Sequence, residues 1–215
     1  GFFAVFGDAS EHYALQTWRR VSWSAYNTRQ SGETHPAVVN IDGGAQSEIV
    51  IGLGAGGGGW LEVVDNAAAG YAHLRWLRVG WTAYIQGPGE TYPAGGDLDG
   101  DGRGEVVVGL GRNSQGHVEV FDDAAVGMGH KAWLQVSWPE YAAAVGETHP
   151  AVGNMDGDAA MEIVLGLAEF VGQGGHFELR DDSAGAHASR GWRNVGRGDV
   201  YIAGGATFPA VGRLR

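Results

Sequence analysis

A phrase that returns every 57 to 59 residues, four strand-like runs inside each period, and no sustained helical period together predict an all-β chain, a β-propeller of four-stranded blades. Gly-Glu-Thr-His-Pro begins at Gly32, returns as Gly-Glu-Thr-Tyr-Pro at Gly89 and recurs intact at Gly146; a worn copy, Gly-Ala-Thr-Phe-Pro, starts at Gly205. Residues 32–53 and 146–167 are identical at 16 of 22 positions. A period of this size is one supersecondary unit stacked on its neighbours.

Within the unit from Gly89, a short segment from Ala94 to Leu98 follows the Pro93 turn and leads into an acid-rich loop. Glu105 to Leu110 is a continuous β-branched run, as expected of a strand buried on both faces. His117 to Asp122 alternates polar and apolar residues, and Trp133 to Trp138 alternates again. The Ala-rich piece from Asp123 to Val126 has room for one helical turn at most. A strand motif, Trp-x-x-Val-x-Trp-x-x-Tyr, recurs as Trp18 to Tyr26, Trp76 to Tyr84 and Trp133 to Tyr141. The copy from Trp192 to Tyr201 has lost its second Trp and gained a residue.

These repeats divide the chain into a partial blade (1–31), three full blades (32–88, 89–145 and 146–204) and a closing strand (205–215). Phe2 to Phe6 matches the third strand of a unit, and Pro209 to Leu214 matches the first. Docked together they make a split blade and hide two edges that would otherwise template aggregation. Closure within one chain gives about four blades. A homodimer gives about eight around a two-fold axis, the arrangement favoured here because four long blades need unusually strong twisting.

Composition narrows the function. Glycine is the commonest residue, at 39 of 215, yet 44% of the chain is apolar and eight residues are Trp, which fits a folded, turn-dense protein. A net charge of −11 argues against nucleic acid and anionic membranes as partners. The absence of cysteine excludes disulfides and thiolate chemistry. No apolar run is long enough for a membrane span.

The chemistry-bearing feature is the loop Asp97-Leu-Asp99-Gly-Asp101-Gly-Arg103-Gly-Glu105. Carboxylates at positions 1, 3 and 5 of a tight loop converge, Gly at 6 allows the reversal, and a carbonyl near 7 with a later acid completes an oxygen shell for a hard cation such as Ca2+. The closing acid opens a strand, so the pattern is not an EF-hand. Followed by Val-Val-Val-Gly-Leu-Gly, it resembles the FG-GAP or VCBS repeat of integrin α-chains and bacterial surface proteins. That resemblance implies a propeller holding calcium between the first and second strands of a blade, with Asp97, Asp99, Asp101, the Arg103 carbonyl and Glu105 as ligands. It carries over to Asn154, Asp156, Asp158, the Ala160 carbonyl and Glu162, with weaker binding because Asn154 replaces an acid and Ala159 the turn glycine. Asn40, Asp42, Gly44 and Glu48 form a poor third copy without the position-5 acid.

Other features are weighed against plainer roles. Seven of the eight Trp fall at or beside repeated strand positions and are expected to pack between blades, whereas Trp60, next to the Gly56–Gly59 run, is a candidate ligand contact. His35 and His149 share a repeat position with Tyr92 and Phe208, so imidazole chemistry is not required there. No hydrolase, zincin or phosphate-loop motif is present, and Asp122-Asp123 and Asp181-Asp182 read as turns. Arg197-Gly198-Asp199 spells an adhesion tripeptide, which arises readily by chance in a Gly-rich chain. The expected function is a non-enzymatic, calcium-binding display or assembly scaffold, extracellular or on a bacterial-type cell surface. Its partners would be a second copy and a glycan or protein ligand. The alternatives are a lectin with aromatic sites between blades, marked by an exposed aromatic recurring in each unit, and a ligand-free fragment that self-assembles. An enzyme working through a central channel would need polar residues that break the repeat.

Overall fold

The computed structural model describes residues 1–29, 32–195 and 204–212. Among them the chain is all-β, with one two-stranded and three four-stranded antiparallel sheets. Strands β1 (Phe2–Phe6) and β2 (Leu15–Arg20) make the short sheet. The first full sheet is β3 (Thr34–Val39), β4 (Glu48–Leu53), β5 (Trp60–Val64) and β6 (His73–Arg78). The second is β7 (Thr91–Gly96), β8 (Glu105–Leu110), β9 (His117–Phe121) and β10 (His130–Gln135). The third is β11 (Thr148–Gly153), β12 (Glu162–Leu167), β13 (His176–Arg180) and β14 (Ser189–Asn194). Each is a simple meander with one shared register: Thr34, Thr91 and Thr148 face Leu53, Leu110 and Leu167.

The sheets pack face to face, with β7 against both β3 and β11. Strands β4, β8 and β12 are buried along their whole length, as their unbroken apolar runs predict. Alternate residues serve different cores. Val106, Val108 and Leu110 join Val50, Leu61 and Val63 of the preceding sheet, while Val107 turns to Ile163 and Leu165 of the next. A third cluster joins Phe3, Val21 and Tyr26 to Ile49, Ile51 and Leu53.

The repeated phrase is the fastener between sheets. Thr91 Oγ1 accepts from Leu53 N at 2.9 Å and donates to Trp60 O at 3.1 Å. Thr148 does the same to Leu110 N and His117 O, and Thr207 to Leu167 N and His176 O. The carbonyls of Thr91, Thr148 and Thr207 approach so closely that a Cβ on Gly52, Gly109 or Gly166 would lie 2.1, 2.2 or 2.3 Å away. This explains the glycine in each Gly-Leu pair of β4, β8 and β12. Tyr26, Tyr84 and Tyr141 complete the joint: each hydroxyl donates to the carbonyl of the following Glu33, Glu90 or Glu147 and accepts from Gly54, Gly111 or Ala168 N.

Three expectations shift. Pro36, Pro93 and Pro150 do not precede the first strand but lie within it. These are edge strands of their sheets, where a residue without an N–H is tolerated. The fourth strand of the second sheet starts at His130 and ends at Gln135, so Trp138 lies beyond it. Trp81 and Trp138 instead cap α2 (Thr82–Ile85) and α3 (Pro139–Ala144), and Trp23 directly precedes α1 (Ser24–Arg29). Helices of one turn leave no period to detect. Finally, Pro209 to Gly212 contains no assigned strand, although Thr207 docks on the third sheet; Leu214 and the Arg197-Gly198-Asp199 tripeptide lie outside the described residues.

Candidate functional site

The acid loops join the first and second strands of each full sheet and are cross-linked to one another. Gly104 N donates to Asn40 O and Met161 N to Asp97 O. In all three, the closing glutamate turns back to its own loop: Glu48, Glu105 and Glu162 accept from Ile41, Leu98 and Met155 N. The remaining donors differ between copies, and those differences decide what each loop can hold.

In the second loop, Asp97 Oδ1 accepts from Gly100 N and Asp101 N, and Oδ2 from Gly102 N at 2.8 Å. Asp101 Oδ1 accepts from Arg103 N. Oxygens of Asp97, Asp99 and Asp101 lie within 4.8 Å of one another, as the spacing predicts. Glu105 falls into a different cluster, with Asp99 and Asp122. The Lys131 ammonium lies within 2.7 Å of Asp99, 2.9 Å of Glu105 and 3.0 Å of Asp122. Burial works against the Lys131 charge, but these three carboxylates outweigh it and hold its pKa above the ordinary lysine value. The same hydrogen bond lowers Asp99, whereas burial raises Glu105.

The third loop has no such lysine. Oxygens of Asp156, Asp158 and Glu162 lie within 4.8 Å of one another, and Ala160 N donates to Asp158 Oδ1. Glu162 is 4% exposed, and among the described residues its buried Oε1 has no hydrogen-bond partner. Burial pushes its pKa up; the Met155 N–H opposes this, and Asp156, Asp158 and Asp182 add to the rise. Arg190, the counterpart of Lys131, reaches Asp181 at 2.6 Å instead. Asn154 spans the loop, donating to Asp158 O and accepting from Gly157 N. An all-oxygen set with one buried, unpartnered carboxylate oxygen fits a hard divalent cation.

The first loop is held by amide contacts, Asn40 Nδ2 to Gly44 O and Gly44 N to Asp42 Oδ1, with Asn66 on Glu48. Among the described residues it has no cluster of three acids within 4.8 Å. Sequence reasoning missed Lys131 and Asp122. The signal was available in the repeat, since the position reads Leu74, Lys131 and Arg190 and is cationic only where the loop keeps more acids.

A second constellation repeats between sheets. On β5, Trp60 and Glu62 share a face with Trp76, the cross-strand partner of Glu62. The second sheet sets His117, Glu119 and Trp133 in the same places, and the third sets His176, Glu178 and Trp192. Each fully buried glutamate braces the preceding unit, accepting from Ser22, Gly80 or Ser137 N. The next residue of that unit, Trp23, Trp81 or Trp138, completes the ring cluster. Ser22, Trp23, Trp60 and Trp76 line a cavity of about 380 Å³; Gly80, Trp81, His117 and Trp133 line one of about 490 Å³. These Trp rings are half-buried rather than core, and Trp133 is 38% exposed. Trp60 lies in the first cavity, with the Arg78 guanidinium 4.8 Å from its ring.

Compared with models of known protein families and with curated proteins, the chain matches none. Among the described residues no helix is long and apolar enough to cross a membrane.

Proposed function

We propose that the chain is a β-propeller segment of the FG-GAP or VCBS kind, a non-enzymatic binding and display module whose acid loops take calcium outside the cytoplasm. The side-by-side meanders joined by one repeated threonine fastener support the propeller reading. The observation that carries the cation is Glu162 Oε1, a buried carboxylate oxygen with no partner, on a residue clustered with Asp156 and Asp158. A charge left in that state is costly, and a divalent ion would offset it. Asp156, Asp158 and Glu162 would hold the ion in the third loop, and Asp97, Asp99 and Asp101 in the second. The ion supplies structural cross-linking of each loop. Exposed apolar residues at both ends, Phe2, Phe6 and Trp18 on the short sheet and Phe208 beyond the third, support pairing with a second copy to complete a ring of about eight blades.

Thermal melting of chelator-stripped protein tests the cation reading. Calcium well above Kd should raise Tm by several degrees, on the order of 3 kcal/mol of linkage for each site near a hundredfold excess. Glu162→Gln should melt at or above the wild-type temperature without calcium and show a smaller rise with it. An unchanged Tm on adding calcium to the wild type contradicts the reading.

A further inference from the structure

We propose that the two inter-sheet cavities are saccharide sites, each taking one pyranose ring against its Trp pair. Trp60 and Trp76 cross edge to face at 6.1 Å, and Trp23 meets Trp76 at 6.5 Å. In the second cavity, His117 meets Trp81 at 5.1 Å and Trp133 at 6.0 Å. Each edge-to-face contact covers one face of one ring, and Arg78 lies over one face of Trp60, while the half-buried rings contribute their remaining surface to the cavity lining. A pyranose offers the matching surface, with axial C–H groups on its faces and hydroxyls around its rim.

The polar groups select a sugar over other ligands that aromatic rings accept. Among the described residues, the indole N–H groups of Trp23, Trp60, Trp76, Trp81 and Trp133 have no acceptor in the protein. The nitrogens of Trp23, Trp60, Trp76 and Trp81 are not buried, and Trp133 is itself exposed, so these donors are open to solvent and available to a ligand rich in acceptor oxygens. A quaternary ammonium also suits an aromatic cage but offers no acceptor, and the nearby Glu62 and Glu119 are already engaged by backbone N–H groups and by His73 and His130. The third cluster is closed. Phe170 packs edge-on against Trp138 at 5.4 Å, and Trp192 gives its N–H to Ser137 Oγ. The structure therefore assigns two sites to each chain. This inference is independent of the cation reading, because none of the cavity residues belongs to an acid loop.

The test is tryptophan fluorescence and saturation-transfer NMR with the methyl glycosides of glucose, galactose, mannose and N-acetylglucosamine and with their trisaccharides, in calcium and in chelator. At least one sugar should bind at two sites per chain. Trp76→Ala and Trp133→Ala should each remove one site, weakening it about tenfold or more. If an alanine variant loses its circular-dichroism spectrum, the Phe variant decides: a fall in affinity supports the site, and unchanged affinity overturns it. No response to any sugar, binding indifferent to both alanine variants, or saturation by choline without saccharide binding would each overturn the proposal.

Discussion

Thr148 is fully buried and makes two hydrogen bonds, and the same residue recurs at 34, 91 and 207. Its hydroxyl satisfies Leu110 N at the end of β8, where the sheet's own ladder stops. Thr148→Val preserves shape but leaves that buried donor without its acceptor, at a cost of about 1–3 kcal/mol. Differential scanning calorimetry should show Tm lower by about 2–4 °C per kcal/mol, whereas an unchanged Tm would mean the fastener contributes nothing. The threonine was legible as a repeated letter but not as a bond, because its partners lie 31 and 38 residues away on another sheet. Lys131 was harder still: its three carboxylates come from an acid loop, a strand start and a strand end that only the fold assembles.

At the scale of the element, the strongest sequence signals were the second and third strands. Glu105–Leu110 appears where its β-branched run placed it, and His117–Phe121 ends one residue before the expected Asp122. The first and fourth strands were misplaced by a few residues because Pro and Trp obscured them. Proline reads as a turn until the strand is known to be an edge. Tryptophan at the head of a one-turn helix looks like a strand residue until the helix is seen. The aromatic positions were legible as repeats, but their half-exposed placement depends on how adjacent sheets meet. Glu119 links element to element, because it braces Gly80 N from the preceding unit. Burial raises its pKa despite the Gly80 and His130 hydrogen bonds. A carboxyl raised in the folded state binds its proton more tightly there than in the unfolded chain. Stability is therefore gained as pH falls through the folded value, and the gain is complete below the ordinary glutamate value. Glu119→Gln cannot titrate, so the wild-type Tm minus the variant Tm should rise between pH ~7 and ~4. A difference that stays flat or falls would contradict the burial argument.

At the scale of the molecule, the tandem period, the four-strand unit and the all-β class are all readable in the sequence. Each is a local pattern repeated, and repetition averages out local error. How sheets face one another was not readable, and the aromatic cavities depend on it. The two sites differ in chemistry and position: acid loops lie between the first and second strands, whereas the aromatic cavities lie between the third and fourth strands of one sheet and the preceding unit. The central proposal is that the loops of the second and third sheets are cation sites of unequal openness, the second already neutralised by Lys131 and the third without such an ammonium among its acids. Calorimetric titration of calcium into the chelator-stripped chain tests it most directly. The account predicts two sites per chain in the reverse of the order expected from the sequence, because Lys131 competes in the second loop: the tighter is abolished by Asp158→Ala and the weaker strengthened by Lys131→Gln, which removes the competing ammonium. No heat of binding, or two sites indifferent to both substitutions, would contradict it.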